Sequence, residues 1–341
     1  MHRLKEKLLN EHLLVFMFCL AVIFGSALAT LFEYDLARFP DCKTYLGLAQ
    51  FDINQSPVRV YRVIIPFAAA GLNFLFGGIF SKFAPAYFVG NYSLPFCFFL
   101  INIILTAFFG SLIYRYCKAF GVDKLSAIIG TLVMLTCRYT IYMAALPLVD
   151  SLFCVVVMLT LLGIKLKSTN MLLWAIFLGP FAKESFIFLA LLIFFFSHLD
   201  KKRSFLYFLY SAILVFTFRY IYEVFVLRTN GNGLMADLRH LPNIIKYLPK
   251  LFSFYTLGKI LMNTGFWVLA PLLVMFFKPG WGREVLAKLD KWLSWFIIAV
   301  VIQMLLSGSM ERMFYLAMPV ICVIVALSVA ESRKLYLQSA S

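Results

Sequence analysis

The chain has 341 residues, of which 63% are apolar and 14% charged, with a net charge of +15 and a mean hydropathy of +0.90. A soluble domain carries about a quarter charged residues, so these values exclude a soluble fold. They describe an all-α, polytopic membrane protein: one domain over residues 1–341, with no soluble domain. Seven scattered cysteines with no CxxC pair, and no zinc-finger, helix-turn-helix or RNA-binding signature, exclude a disulfide framework, a cysteine metal site and a nucleic-acid partner.

In chain order, the first apolar run, Leu13 to Phe32, has twenty residues without a charge, about 30 Å of helix and one bilayer core. Ala27-Leu28-Ala29 resembles a cleavage site, but the run is read as a retained anchor. Further spans are expected at about 94–115, 125–145, 149–165, 170–182, 185–198, 204–226, 257–277, 291–307 and 312–330, ten in all. With the N-terminus in the cytoplasm, the inner segments become Arg3/Lys5/Lys7, Arg115/Lys118/Lys124, Lys165/Lys167, Lys201/Lys202/Arg203, Lys278/Arg283/Lys288/Lys291 and Arg333/Lys334. All six are basic, as the positive-inside rule requires, and both termini are cytoplasmic.

Two outer loops are long, residues 34–93 and 227–256. The first contains an apolar stretch, Val63 to Phe80, interrupted by Pro66, Gly71, Gly77 and Gly78. Counting it as a span would invert every later loop, so it is read as an interfacial or re-entrant helix beside an outer-face cavity. The second carries Gly231 and Gly233 and an amphipathic stretch from Leu238 to Leu251. Positive charge on the outer side, which insertion disfavours, suggests anionic ligands such as lipid phosphates. Cys42 stands well outside any apolar run and is expected to be the accessible thiol.

Several residues then stand out. Asp41 and Tyr45 are spaced i, i+4 behind Pro40 and share one helix face; Asp41 is an N-cap or a site carboxylate. Arg59 and Arg62 precede the interfacial helix and could hold a phosphate bidentately or anchor to headgroups. Asp150, after Pro147, is an N-cap or a cavity-facing acid. Lys183 and Glu184 separate two apolar halves, 170–182 and 185–198, whose outer ends are both basic. A single crossing would leave the two charges near the bilayer centre, where they are costly. A hairpin of two halves, each about 20 Å, places them at its tip in a recessed cavity, as a functional pair or as a self-neutralising one. Arg138 and Arg219 lie within spans, with Glu223 one turn beyond Arg219; Arg312 follows Glu311 at the start of the last span.

The order of these motifs resembles the GT-C superfamily of polytopic glycosyltransferases, which use polyprenyl-phosphate-linked sugars. Its D-x-x-x-Y with a later small residue is matched by Asp41, Tyr45 and Ala49, and its Y-R-x-x-x-P by Tyr61, Arg62 and Pro66. A P-x-x-D is matched by Pro147 and Asp150, a K-E by Lys183 and Glu184, and a late arginine before a proline by Arg312 and Pro319. The resemblance covers about residues 1–335 as an order of features. It implies an inverting hexosyl- or pentosyl-transferase working on the outer, periplasmic or lumenal, face, and a bacterial inner membrane in preference to the endoplasmic reticulum. Asp41 would be the base; Lys183, Arg62, Arg59 and Arg312 would hold the donor phosphate; Tyr45, Asp150, Glu184 and Arg138 would line the cavity. The chain departs from many members by lacking a soluble C-terminal domain and by offering one D-x-x-x-Y in place of paired acids, so no metal and no other cofactor is expected. The partners implied are the lipid-linked donor, membrane lipids and a glycan, lipid or protein acceptor. The alternatives are a polytopic transporter or flippase, or a polymerase or ligase of polyprenyl-diphosphate glycans.

Overall fold

Long apolar runs without strand-like alternation fold here into helices. The computed structural model describes residues 2–36, 39–52, 55, 59–83, 92–227, 242–307 and 309–340, and no strand occurs among them. The helices are α1 (His2–Glu33), α2 (Pro40–Ala49), α3 (Ile64–Phe83), α4 (Ser93–Ala119), α5 (Lys124–Leu135), α6 (Arg138–Ala145), α7 (Asp150–Lys165), α8 (Thr169–Ala182) and α9 (Phe186–Phe196). They continue with α10 (Lys201–Ile221, prolonged by a π-helical turn, Tyr222–Leu227), α11 (Asn243–Tyr247), α12 (Phe254–Thr264), α13 (Leu269–Phe277), α14 (Trp281–Lys288), α15 (Trp292–Ser307), α16 (Met310–Phe314) and α17 (Met318–Ala340). Gly231, Gly233 and the start of the amphipathic stretch at Leu238 lie outside the described residues.

Five continuous stretches are long and apolar enough to cross a membrane: Asn10–Glu33, Ile64–Lys82, Ser93–Ala119, Lys201–Val224 and Met310–Leu337. Three bent pairs raise the number to eight: α5 with α6 (66°), the α12 segment with α13 (66°) and α14 with α15 (94°). Helix length thus supports five to eight crossings, which fits an integral membrane protein. It differs from the ten apolar runs of the sequence in two ways: α7, α8 and α9 have 16, 14 and 11 residues, short of the ~20 that span a bilayer, and α3, read from the sequence as interfacial, is long and apolar enough to cross. Large apolar side chains on α3, α10 and α13 face outward, including Phe74, Phe216 and Phe276. In water such a belt would be an aggregation surface; in hydrocarbon it is solvated.

The helix at the centre is α7, buried on every side from Asp150 to Ile164, as expected of a helix that is apolar all round. α4 packs against it, and α1 runs antiparallel to α4: Phe24 meets Phe99 edge-on, and the Tyr114 hydroxyl donates to Glu11 at 2.6 Å. α8 and α9 form the expected hairpin. Their open ends meet where Thr169 Oγ1 lies 3.1 Å from His198 Nε2, and at the closed end the Phe186 ring packs on Gly179.

Ion pairs gather most of the basic segments at one end of this bundle. Lys124 pairs with Glu11 at 3.1 Å, Arg333 with Asp123 at 2.8 Å, Lys165 with Asp290 at 2.8 Å and Lys278 with Glu331 at 2.7 Å. Asp123 also caps α5, accepting from the backbone N–H groups of Leu125 and Ser126. At the opposite end α1 finishes and α4 begins. The last part of α3 reaches that same end, because Phe80 packs on Phe96 at 5.3 Å.

All seven cysteines are buried. Cys42 is therefore not the accessible thiol that its place outside an apolar run suggests. α2 turns the face bearing Asp41, Cys42 and Tyr45 inward, so a polar segment of the chain becomes part of the interior.

Candidate functional site

Pro40 opens α2 at a position where its missing N–H costs nothing. The N-cap is Phe39, so Asp41 does no capping and its carboxylate turns into the bundle. Arg59 Nη2 meets Asp41 Oδ1 at 2.6 Å, and Arg312 Nη1 donates to Oδ2 of the same carboxylate. Arg312 uses Nη2 on Oδ2 of Asp150, the first residue of α7, whose N-cap is Val149. Asp150 is likewise no cap. Its Oδ1 accepts from Lys183 Nζ at 3.2 Å, and that ammonium also stands 5.5 Å from the centre of the Phe153 ring. Arg59, Asp41, Arg312, Asp150 and Lys183 thus form an unbroken chain of alternating charge.

Beside it lies a second group. Arg62 holds Glu184 bidentately, Nε to Oε1 at 3.2 Å and Nη2 to Oε2 at 2.7 Å, and gives Nη1 to the Tyr45 hydroxyl at 2.9 Å. Lys183 and Glu184 are therefore not a self-neutralising pair: each is neutralised by a residue from elsewhere in the chain. Buried ions cost several kcal/mol each unless paired and hydrogen-bonded, and here both oxygens of all three carboxylates are engaged.

The site is recessed. Asn102 donates to the carbonyls of Leu146 and Leu148 at 2.9 and 3.0 Å and accepts from Ser151 at 2.5 Å, which fixes the turn that carries Asp150. Asn102 lies nine residues into α4, about 14 Å from its first residue. A cavity of about 420 Å³ opens near the far end of α2, lined by Ala49, Gln50, Ala70, Asn73 and Leu94 among others.

Eight of the nine residues to which the resemblance gives a site role come together: Asp41, Tyr45, Arg59, Arg62, Asp150, Lys183, Glu184 and Arg312. Arg138 does not join them; its Nε and Nη2 donate to the Tyr142 hydroxyl at 3.0 and 2.7 Å, on an exposed face. Arg219 and Glu223 are arranged around Tyr61, whose hydroxyl donates to Glu223 and whose ring carries the Arg219 guanidinium 4.5 Å above it. Tyr139 and Tyr315 have no signal in the sequence. They enter because the chain bends by 66° between α5 and α6, so that the two rings meet at 4.9 Å and Thr140 Oγ1 lies 2.6 Å from the Tyr315 hydroxyl.

The charges of the cluster do not balance. Four cations face three carboxylates, the acceptor oxygens are taken, and Arg312 Nε is buried without a partner. Spare capacity therefore lies on donors, which suits an anion. Among the described residues no group of three or more His, Cys, Asp or Glu side chains is placed to hold a metal ion. No protein family, curated protein or solved structure matches this chain.

Proposed function

We propose that the chain is a membrane glycosyltransferase that moves a sugar, with inversion, from a polyprenyl-phosphate-linked donor to an acceptor hydroxyl. The observation that carries this reading is the meeting of Asp41 with Arg59, Arg62, Lys183 and Arg312 in one recessed cluster at the end of the bundle away from the basic segments.

In that reaction the acceptor oxygen attacks the anomeric carbon as the bond from that carbon to the phosphate oxygen breaks. The phosphate leaves with the bonding electrons, and Asp41 takes the acceptor proton as general base. Arg312, Lys183 and Arg62 stabilise the charge that develops on the phosphate. The donor phosphate is a further anion beside Arg312, so its entry loosens the hold of Arg312 on Asp41.

The topology that accompanies this reading has ten crossings with both termini cytoplasmic. α7, α8 and α9 stop short around a cavity on the outer face, and α3 lies along that face. Two observations support the last point: α3 ends against the first turn of α4, and it begins two residues after Arg62, which is bound to Tyr45 of α2. The ion pairs joining the basic segments support the sidedness. Transfer of labelled sugar from a panel of polyprenyl-phosphate sugars by the purified protein tests the function. Directional transport of the intact lipid, with no transfer, would favour a flippase instead.

A further inference from the structure

Two hydrogen-bonding groups within the cluster have no partner. The hydroxyl of Tyr139, a residue only 9% exposed, and the Nε of Arg312 are both buried and make no hydrogen bond to any of the described residues. Buried polar atoms are paired in the great majority of cases, so each isolated group calls for an explanation. Neither is left loose by poor packing. The Tyr139 ring is held edge-on against Tyr315 at 4.9 Å, and Tyr315 is itself tied to Thr140 at 2.6 Å. Arg312, one turn before Tyr315, is gripped through its two terminal nitrogens by Asp41 and Asp150, so the position of its Nε edge is set. Arg312 approaches the Tyr139 hydroxyl closely enough to interact with it, but no hydrogen bond of ordinary geometry joins the two.

We infer that the Tyr139 hydroxyl and Arg312 Nε together bind a phosphate oxygen of the ligand. This rests on the transferase reading and adds to it a phosphate-binding residue outside the charged motifs. Both groups can donate, and they sit in a cluster with one positive charge in excess, so an anionic oxygen satisfies both at once. The lysine and the remaining arginines supply charge; the tyrosine supplies direction, since its hydroxyl is fixed by ring packing. The same chemistry would accept the phosphate of a polyprenyl monophosphate, of a phospholipid or of free inorganic phosphate.

The test compares the wild type, Tyr139→Phe and Arg312→Lys in detergent, by thermal unfolding with polyprenyl monophosphate, polyprenol, phosphatidylglycerol and inorganic phosphate, and separately by sugar transfer. Tyr139→Phe removes only a hydroxyl that has no partner in the ligand-free protein, so its Tm without ligand should equal or exceed that of the wild type. Its apparent affinity for polyprenyl monophosphate should fall about tenfold or more, as expected for a lost hydrogen bond to a charged group, and polyprenol should shift no variant. A shift by phosphatidylglycerol or inorganic phosphate alone, lost in Tyr139→Phe, keeps the phosphate site and removes the lipid-linked donor as its occupant. Equal phosphate-dependent shifts in the wild type and Tyr139→Phe would overturn the inference, as would the absence of any such shift in the wild type. Active transfer that Tyr139→Phe leaves unchanged at low donor concentration sinks the site and spares the transferase. A Tyr139-dependent phosphate shift with no transfer from any donor does the reverse.

Discussion

Arg312 reaches Asp41 across 271 residues of chain. The bond joins the first turn of α2 to the short helix α16, which leads into the last long helix, and it occupies the carboxylate assigned as base. The protein without ligand therefore holds that base neutralised, between Arg312 and Arg59 at 2.6 Å.

Asp41→Asn should abolish sugar transfer, with a loss of at least about a hundredfold, the lower end of what a general base contributes. The amide keeps the size and can still accept one hydrogen bond from Arg59 or Arg312, but it cannot take a proton. Asp35, an exposed acid six residues earlier, is the control: Asp35→Asn should cost much less. Initial rates with saturating donor decide this; near-normal turnover of Asp41→Asn would leave the carboxylate with a structural role only.

Arg62→Lys should not substitute for arginine. One guanidinium serves Glu184 through two nitrogens and Tyr45 through the third, a geometry that a point-like ammonium cannot reproduce. A loss of about 1–3 kcal/mol in stability is expected, with a higher KM for the donor. Chemical denaturation in detergent and initial-rate kinetics check the two parts, and wild-type behaviour in both would show that charge alone suffices.

Gly179→Ala should open the hairpin that carries Lys183. A Cβ there would run into the ring of Phe186, and overpacking of this kind costs about 1–3 kcal/mol. Phe186→Leu in the same chain should recover part of the loss, because the ring is what the methyl group strikes. Melting temperatures of the single and double variants test the coupling; additive losses would mean that the two residues are not opposed.

The sidedness of the bundle can be read with introduced thiols, since the natural ones are buried. Lys43 and Lys167 are both exposed and lie at opposite ends, on α2 and just past α7. A membrane-impermeant thiol reagent should label Lys43→Cys in intact cells and Lys167→Cys only after permeabilisation. The opposite pattern would put the cluster on the cytoplasmic side and remove the outer active site.

Much of the candidate site is legible in the sequence. A charge within or beside an apolar run stands out because burial is expensive, which marks Asp150, Lys183, Glu184 and Arg312; Asp41 is marked by its spacing from Tyr45 behind Pro40. Spacing says who shares a helix face, as it does for Asp41 and Tyr45, and little beyond that. It suggested Lys183 with Glu184 and Arg219 with Glu223. The structure gives Lys183 to Asp150, 33 residues away, Glu184 to Arg62, 122 residues away, and Glu223 to Tyr61, 162 residues away.

The helical, membrane-embedded character follows from the sequence alone, because hydropathy is a local property that sums along each run. The tertiary structure alone decided that Arg138 stays outside the cluster, that Tyr139 enters it and that Cys42 is buried. It also decided which apolar runs are long unbroken helices, since α5 and α6 bend apart. These outcomes depend on which surfaces meet when separate helices pack. That choice is made by contacts between residues tens to hundreds of positions apart, to which composition and periodicity are blind.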